Sequence, residues 1–519
     1  MSRRIFRSMS VFGMMTLLSR ITGLWRDVVY ASAFSILVTD AWFTAYQIPN
    51  FLRRLFAEGA FSQAFVPVVS EYRTRNTTEQ TRDLVDSVAG TLGGFLLVVS
   101  LLGSLAAPVI IWVMARGFPV GSEKYVIAVE MLRWTFPYLF FVSMTALAGG
   151  VLNSYGRFGV PAFSSVLLNL VMIVAALWVA PHLEKPYLAL GIGVFVAGIA
   201  QLLIHLPVLL QLKLLHKPRW NLKHEGVQRI GKLMVPAIVG SSMGQISVMI
   251  SAAIATGLAD GSVTWLYLAD RLVEFPLGIF SIGLATVILP SLSAHHAAAS
   301  PERFTATLDW SLRLICVVVI PAAVALFVLA GPLTVLMFYR GKFSVDSVTM
   351  TTYATMAYSF ALLGWSLVKV LAPGFYARQD TKTPVRTAMW SFGLTMTLNL
   401  IVITVLFSTG QRLQPGMHIM LALATAAGAT LNPWLLYRGL RKQGVYQPAP
   451  GWLALLARVV LASVLMAVFL RYFAADIQQW LQVGTGKRAI WMTKLVVGGA
   501  GLYFASLWLF GLRPAHLKH

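Results

Sequence analysis

The chain has 519 residues, of which 57% are hydrophobic and 12% charged, and its mean hydropathy is +0.73. A soluble globular domain carries about 25% charged residues, so the composition excludes one and describes a polytopic membrane protein. The formal net charge of +22 arises from 41 Lys and Arg against 19 Asp and Glu. No basic block interleaved with aromatics offers a nucleic-acid surface, so the excess reads as loops facing anionic membrane lipids and no nucleic-acid partner is expected.

An apolar run of about 20 residues is needed to cross a bilayer core. Fourteen runs qualify in chain order, near 9–33, 39–70, 84–114, 124–153, 159–181, 187–212, 227–258, 262–294, 303–337, 347–375, 384–408, 416–437, 452–473 and 489–511. The expected fold is therefore all-α, with 14 transmembrane helices. Runs above 25 residues imply tilted or bent helices, and Pro49, Pro67, Pro137, Pro276, Pro290 and Pro321 mark kink positions inside them. Arg3, Arg4 and Arg7 precede the apolar Val11–Leu18 as in a signal peptide. Arg20 ends that run early, however, and no small-residue cleavage site follows, so an uncleaved first helix is expected. The single Cys316 sits in the apolar run Leu314–Ile320 and reads as a small core hydrophobe.

The loops alternate in charge. With the N-terminus in the cytoplasm, 22 of the 41 Lys and Arg fall on cytoplasmic loops and termini, 9 on the opposite loops and 10 within spans. The bias predicts that both termini are cytoplasmic and that the number of spans is even.

The chain also matches itself at an offset of about 223 residues. Trp42 and Pro67 align with Trp265 and Pro290, Leu105-Ala106-Ala107-Pro108 with Leu329-Ala330-Gly331-Pro332, and Arg116-Gly117 with Arg340-Gly341; Tyr155-Gly156-Arg157 and Pro161 follow as Tyr376-Ala377-Arg378 and Pro384. The pattern predicts two pseudo-symmetric six-helix lobes in the same orientation, an N-terminal lobe at 1–213 and a C-terminal lobe at 227–440. A basic cytoplasmic linker at 214–226 joins them, and spans 13 and 14 follow within 441–519. In transporters built from such repeats the substrate site lies near the bilayer midplane, reached alternately from each side.

Among the basic residues inside the spans, five arginines lie in almost wholly apolar surroundings: Arg20, Arg26, Arg53, Arg54 and Arg271. Facing lipid, each would cost roughly 2.5–3.5 kcal/mol or more, so they are expected on an interior cavity. Arg20 and Asp27, seven apart, share a helix face; Asn50 and Arg53 share one at i,i+3; Arg54 and Glu58 form an i,i+4 pair; Asp270 and Glu274 flank Arg271. Interhelical ion pairing is the competing reading, strongest for Arg54 with Glu58 and even for Arg26 with Asp27. For Arg20, Arg53 and Arg271 an anion site is favoured, since the guanidinium fork suits phosphate oxygens. Asp40 is a further acid within the set. By the repeat, Arg53 and Arg271 occupy equivalent spans and are expected on opposite sides of one cleft.

Other chemistries find no support. Gly484-Thr485-Gly486-Lys487 lacks the spacing of a phosphate-binding loop, no H-E-x-x-H occurs, and His295-His296 closes a helix at the cytoplasmic side. Neither 226–259 nor 387–437 holds an acidic residue, which disfavours a cation site in those spans. No metal, cofactor or catalytic residue is expected.

Several longer motifs carry a resemblance: Ser19-Arg20, Gly23 and Arg26-Asp27; Thr39-Asp40-Ala41; the run from Pro49-Asn50-Phe51-Leu52-Arg53-Arg54 through Glu58-Gly59 to Pro67; Ala269-Asp270-Arg271 with Glu274-Phe275-Pro276; and Leu371–Arg378. Across essentially the whole chain these resemble the MurJ (MviN) family of the MOP exporter superfamily. The resemblance implies a transporter and not an enzyme, a lipid II flippase of the bacterial cytoplasmic membrane that carries the undecaprenyl-diphosphate-linked peptidoglycan precursor to the outer leaflet. It implies a cationic cavity whose arginines match Arg20, Arg26, Arg53 and Arg271, gate residues matching Asp27 and Glu58, and a lipid-tail groove formed by spans 13 and 14. Membrane potential or an ion gradient is the implied driver; sodium is disfavoured by the missing acids. A monomer is expected, with lipid II, membrane lipids and cell-wall synthesis proteins as partners. A flippase for another undecaprenyl-diphosphate-linked oligosaccharide, a multidrug exporter and a non-transporting scaffold are the alternatives.

Overall fold

The computed structural model describes residues 3–55, 60–212, 214, 217–278 and 283–512, without the side chains of 3–12, 60, 62–63, 235–244 and 283–287. The described residues contain helices and no strand. They form two compact units, Met1–Val263 and Thr264–His519.

In the first unit α1 (Arg3–Ala33) packs on α8 (Gly159–Val174), α2 (Ile36–Arg53) on α6 (Glu123–Thr135), and α3 (Ala60–Arg75) on α7 (Tyr138–Ser154) and α10 (Glu225–Ala255). The helix α4 (Thr78–Leu105) lies on α7, and α9 (Leu188–Gln211) lies on α6, α7 and α8. The unit thus extends past the basic linker at 214–226 and takes in α10. Glu71 on α3 ties α10 down through Arg229 at 2.8 Å, and that contact holds the Glu71 carboxyl below its ordinary pKa. The linker itself lies along α4: Arg219 N–H donates to the Asp86 carbonyl at 2.9 Å and Asn221 N–H to Thr91 Oγ1 at 3.1 Å. Gly90 is required there, because a Cβ would stand 2.2 Å from the Arg219 carbonyl oxygen.

In the second unit α13 (Pro301–Val328), α15 (Val345–Tyr376) and α17 (His418–Lys442) pack in series, with α12 (Gly283–Ala297) against α13 and α15 and α16 (Lys382–Ser408) against α17. Gly364 lets α15 and α17 touch backbone to backbone; a Cβ would meet the Ala429 carbonyl oxygen at 2.2 Å. The last helices, α18 (Trp452–Phe473), α19 (Ile477–Gln482) and α20 (Thr485–Leu509), join through α18 packed on α13. One carboxylate anchors them. Asp309 Oδ1 accepts from Tyr446 Oη at 2.6 Å, Trp452 Nε1 at 2.7 Å and the Ala449 N–H at 3.3 Å, while Oδ2 accepts from Arg313 Nε at 2.6 Å. Arg313 also donates to the Ala449 and Pro450 carbonyls and lies 5.2 Å from the centre of the Trp452 ring.

Ten helical segments of the described residues are long and apolar enough to cross a membrane, which makes the chain a multi-pass membrane protein. The other four expected spans, 9–33, 39–70, 227–258 and 262–294, are helical where described, and each includes residues whose backbone or side chains lie outside the description. The first holds Arg20, Arg26 and Asp27; the described parts of the second are α2 and α3, those of the eighth are α11 (Ser262–Pro276) and α12, and the seventh is α10.

The 223-residue offset is visible in local structure. The span at 84–114 breaks at Ala106, between α4 and α5 (Ala107–Met114), and the span at 303–337 breaks at Leu329, between α13 and α14 (Ala330–Phe338). Each break precedes a proline at the second or third helical position, where a missing N–H removes nothing from the helix. Ser122 then caps α6 and Ser344 caps α15, each hydroxyl accepting the N–H three residues on. The α2 helix widens into a π turn at Arg54-Leu55, and α11 does so at Leu277-Gly278, again 223 residues apart; such turns concentrate at functional sites. Of the six expected kink prolines, Pro137 separates α6 from α7 and Pro276 ends α11, while Pro49, Pro67, Pro290 and Pro321 stand inside helices.

Candidate functional site

The charges of α1 are arranged differently from the expected face. Arg26, 9% exposed, donates through Nε and Nη2 to Asp27 Oδ1 at 3.1 and 2.8 Å and through Nη1 to Asn169 Oδ1 at 3.1 Å. Asp27, 1% exposed, is therefore the counter-ion of Arg26 and not a partner to Arg20 across one turn pair. Asn169 on α8 completes the junction by donating to the Ser19 carbonyl at 3.0 Å and Thr22 Oγ1 at 3.1 Å. With its charge matched and its planar edge engaged, Arg26 is built into the α1–α8 contact. Arg20, one and a half turns earlier, is half-buried and has no hydrogen bond or ion pair to any described residue.

On α2, Asn50 Oδ1 accepts from Arg53 Nε at 3.2 Å and Nη2 at 2.8 Å, as the i,i+3 spacing predicts. This contact with a neutral amide orients the guanidinium. Arg54, at the π turn, donates to Gln245 Oε1 on α10 at 2.7 Å. Its expected partner Glu58 lies outside the described residues.

Asp40 is 2% exposed and belongs to an ion cluster rather than an open cavity wall. Its Oδ2 accepts from Lys124 Nζ at 2.9 Å and from the Gly261 N–H at 2.7 Å, and Lys124 also reaches Asp260 Oδ1 at 2.8 Å. Lys124, expected in a solvent-facing loop, is 9% exposed and lies 5.4 Å from the Phe118 ring centre. Neither Lys124 nor Asn169 was legible as a partner: positions 40, 124 and 260, or 26 and 169, meet only through tertiary packing.

In the second unit Tyr267, Arg271 and Glu274 share one face of α11. Arg271 donates to Glu274 Oε2 at 2.6 Å and to Tyr267 Oη at 2.9 Å, its guanidinium carbon 4.8 Å from the Tyr267 ring centre. The expected grouping had Asp270 and Glu274 on one face with Arg271 beside them; instead Arg271 turns to Glu274. Both side chains of that pair are about one-third exposed, where an ion pair is worth at most about 1 kcal/mol, so the pair can open for a stronger anion. Asp270 is half-buried on the same helix. Among the described residues no three His, Cys, Asp or Glu side chains gather as a metal ion would need.

Helices built as two units with a repeating pattern of breaks and caps share the fold of solved transporters of the MOP superfamily. The chain superposes on an inward-facing multidrug resistance MATE family transporter of the MOP superfamily with a TM-score of 0.67, covering 82% of this chain and 95% of that one at 11% identity. It superposes on a lipid II flippase MurJ in an inward closed conformation with a TM-score of 0.77, covering 96% and 98% at 22% identity. The family described as lipid II flippase MurJ matches residues 31–488. A probable lipid II flippase MurJ of Haemophilus influenzae is 42% identical over 517 residues, 97% of this chain and 99% of that protein. A lipid II flippase MurJ of Burkholderia cenocepacia is 41% identical over 525 residues, 99% of each. The chain belongs to the lipid II flippase MurJ family.

Proposed function

We propose that this chain flips lipid II from the inner to the outer leaflet of the bacterial cytoplasmic membrane by alternating access, as a transporter and not an enzyme. The observation that carries the reading is Arg20, a half-buried intramembrane cation with no partner among the described residues. Such a charge is costly at depth and calls for an anion in the cavity. Family membership supplies the identity of that anion, a lipid-linked diphosphate.

Arg20, Arg53 and Arg271 engage the diphosphate oxygens. Arg53 is pre-aimed by Asn50, and Arg271 exchanges its weak pairing with Glu274 for phosphate, a charge-assisted bidentate contact. Arg26 acts through the α1–α8 junction, held by Asp27 and Asn169. Asp40, Arg54, Glu58 and Asp270 modulate the cavity or its gates. Both termini are cytoplasmic, the drive is the membrane potential or an ion gradient, and the working unit is a monomer that meets cell-wall synthesis proteins. The MATE likeness bears on fold alone, and the arginines argue against a cationic drug as substrate.

The test is complementation of a flippase-depleted bacterium by Arg53→Ala and Arg271→Ala. Loss of rescue with normal membrane levels supports the assignment; full rescue with normal precursor translocation by either variant removes that residue from the site.

A further inference from the structure

The chain leaves the first unit just after the turn 256–261, which joins α10 to α11, and the second unit begins at Thr264. That turn is held at two points. At its start the Gly117 N–H donates to Thr256 Oγ1 at 3.2 Å, and the backbones meet so closely that a Cβ on Gly117 would stand 2.0 Å from the Thr256 carbonyl oxygen. At its end the Gly261 N–H donates to Asp40 Oδ2, and Asp260 Oδ1 accepts from Lys124, the same ammonium that Asp40 engages.

All of these parts lie at one side of the unit. Helix α1 ends at Ala33 and α2 begins at Ile36, which places Asp40 at the side opposite the N-terminus. The chain returns through α2 and α3, crosses again through α4 and α5, and opens α6 with Lys124. Helix α10 rises from the linker and ends at Ala255 beside them.

Two features separate this contact from ordinary packing. The repeat does not require it: superposing the caps Ser122 and Ser344 puts Lys124 on Asp346, and the 223-residue offset puts Asp40 on Val263. Its members are also unequally committed. The side chains of Lys124 and Asp40 are 10% and 3% exposed, whereas that of Asp260 is 79% exposed. When the turn lifts, Lys124 and Asp40 stay paired and Asp260 passes to water that it already meets. No buried charge is stranded in either position, so both are accessible states of one element.

We propose that the turn 256–261 is a latch of the transport cycle. Seated on α2, α6 and the 115–118 turn it closes the side opposite the termini, and it lifts when that side opens; Lys124 is the positioning residue that receives Asp260 back. The inference rests on the alternating-access reading above and names a device within it.

The test places a reporter beneath the latch. Thr44, 5% exposed, lies one turn along α2 from Asp40 and donates to its carbonyl at 2.7 Å. Thr44→Cys is combined with Cys316→Ser, which removes the one native thiol, and a membrane-impermeant maleimide is applied to either face of oriented vesicles holding the full chain. Asp260→Asn is expected to raise labelling from the face opposite the termini about threefold, the weight of one exposed pair, at unchanged melting temperature. Asp260→Glu is expected to keep the starting rate. Gly117→Ala forces the turn off and breaks the charge-assisted Asp40 contact, so it is expected to raise labelling about tenfold or more. Unchanged labelling in Asp260→Asn overturns the proposal. So does an equal rise from both faces, which a merely structural junction would give on loosening. The measurement needs no lipid II, so its failure leaves the substrate assignment standing.

Discussion

Lys124→Met removes the ammonium that donates to buried Asp40. Asp40 keeps the Gly261 N–H at 2.7 Å but loses the ammonium at 2.9 Å, with its side chain 3% exposed. Breaking a buried pair from one side costs about 3–5 kcal/mol, because the remaining charge stays desolvated. The Asp260 contact adds little, at most about 1 kcal/mol, since that carboxylate is 79% exposed. Asp40→Asn in the same background keeps an acceptor for Gly261 and removes the stranded charge. The double variant is therefore expected to be about 2–3 kcal/mol more stable than Lys124→Met alone, a non-additivity that contacting residues allow. Thermal unfolding in detergent, followed by intrinsic fluorescence, should show Lys124→Met melting roughly 5–10 °C below the wild type, with about half of that restored in the double variant. A single-variant loss under about 1 kcal/mol, or a double variant no more stable than the single, refutes the reasoning.

The two α1 arginines should separate: Arg26→Ala removes the guanidinium from buried Asp27 and costs about 3 kcal/mol of stability, read as a lower melting temperature, whereas Arg20→Ala leaves melting unchanged and lowers lipid II transport about tenfold or more, both read on the same preparations. Asp309→Ala frees Tyr446, Trp452 and Arg313 together and should expose the 443–451 segment to limited proteolysis, with a loss of about 3 kcal/mol. Asp380 accepts from the Thr383 N–H at 3.0 Å and Thr383 Oγ1 at 2.6 Å at the start of α16, and these bonds hold its carboxyl below the ordinary Asp value. Its contribution is present in full above that ordinary value and fades as pH falls through the lowered one. Asp380→Ala should thus cost about 1 kcal/mol near neutral pH, with the gap to wild type closing only below about pH 4.

What the sequence showed and what it hid divide along contact range. Apolar length predicted all ten segments that are long and apolar enough to cross a membrane, and the repeat anticipated paired features such as the breaks at Ala106 and Leu329. Local spacing placed Asn50 beneath Arg53. It misplaced Asp27, because adjacency to Arg26 outweighed the shared face with Arg20 once Asn169 on α8 fixed the guanidinium. It missed the cluster of Asp40, Lys124 and Asp260, whose members are scattered along the chain, and it treated Lys124 as a loop charge because the residue opens a helix. Asp309 was silent for the same reason: three of its four side-chain and backbone donors described above come from a segment more than 130 residues away.

Flipping of fluorescently labelled lipid II in proteoliposomes, measured for the wild type and Arg20→Ala with potential and ion gradients imposed separately, tests the central claim most directly. The account predicts gradient-dependent translocation by the wild type and a loss of about tenfold or more for Arg20→Ala at unchanged protein insertion. No translocation by wild-type protein under any gradient, or equal rates for the two proteins, contradicts it.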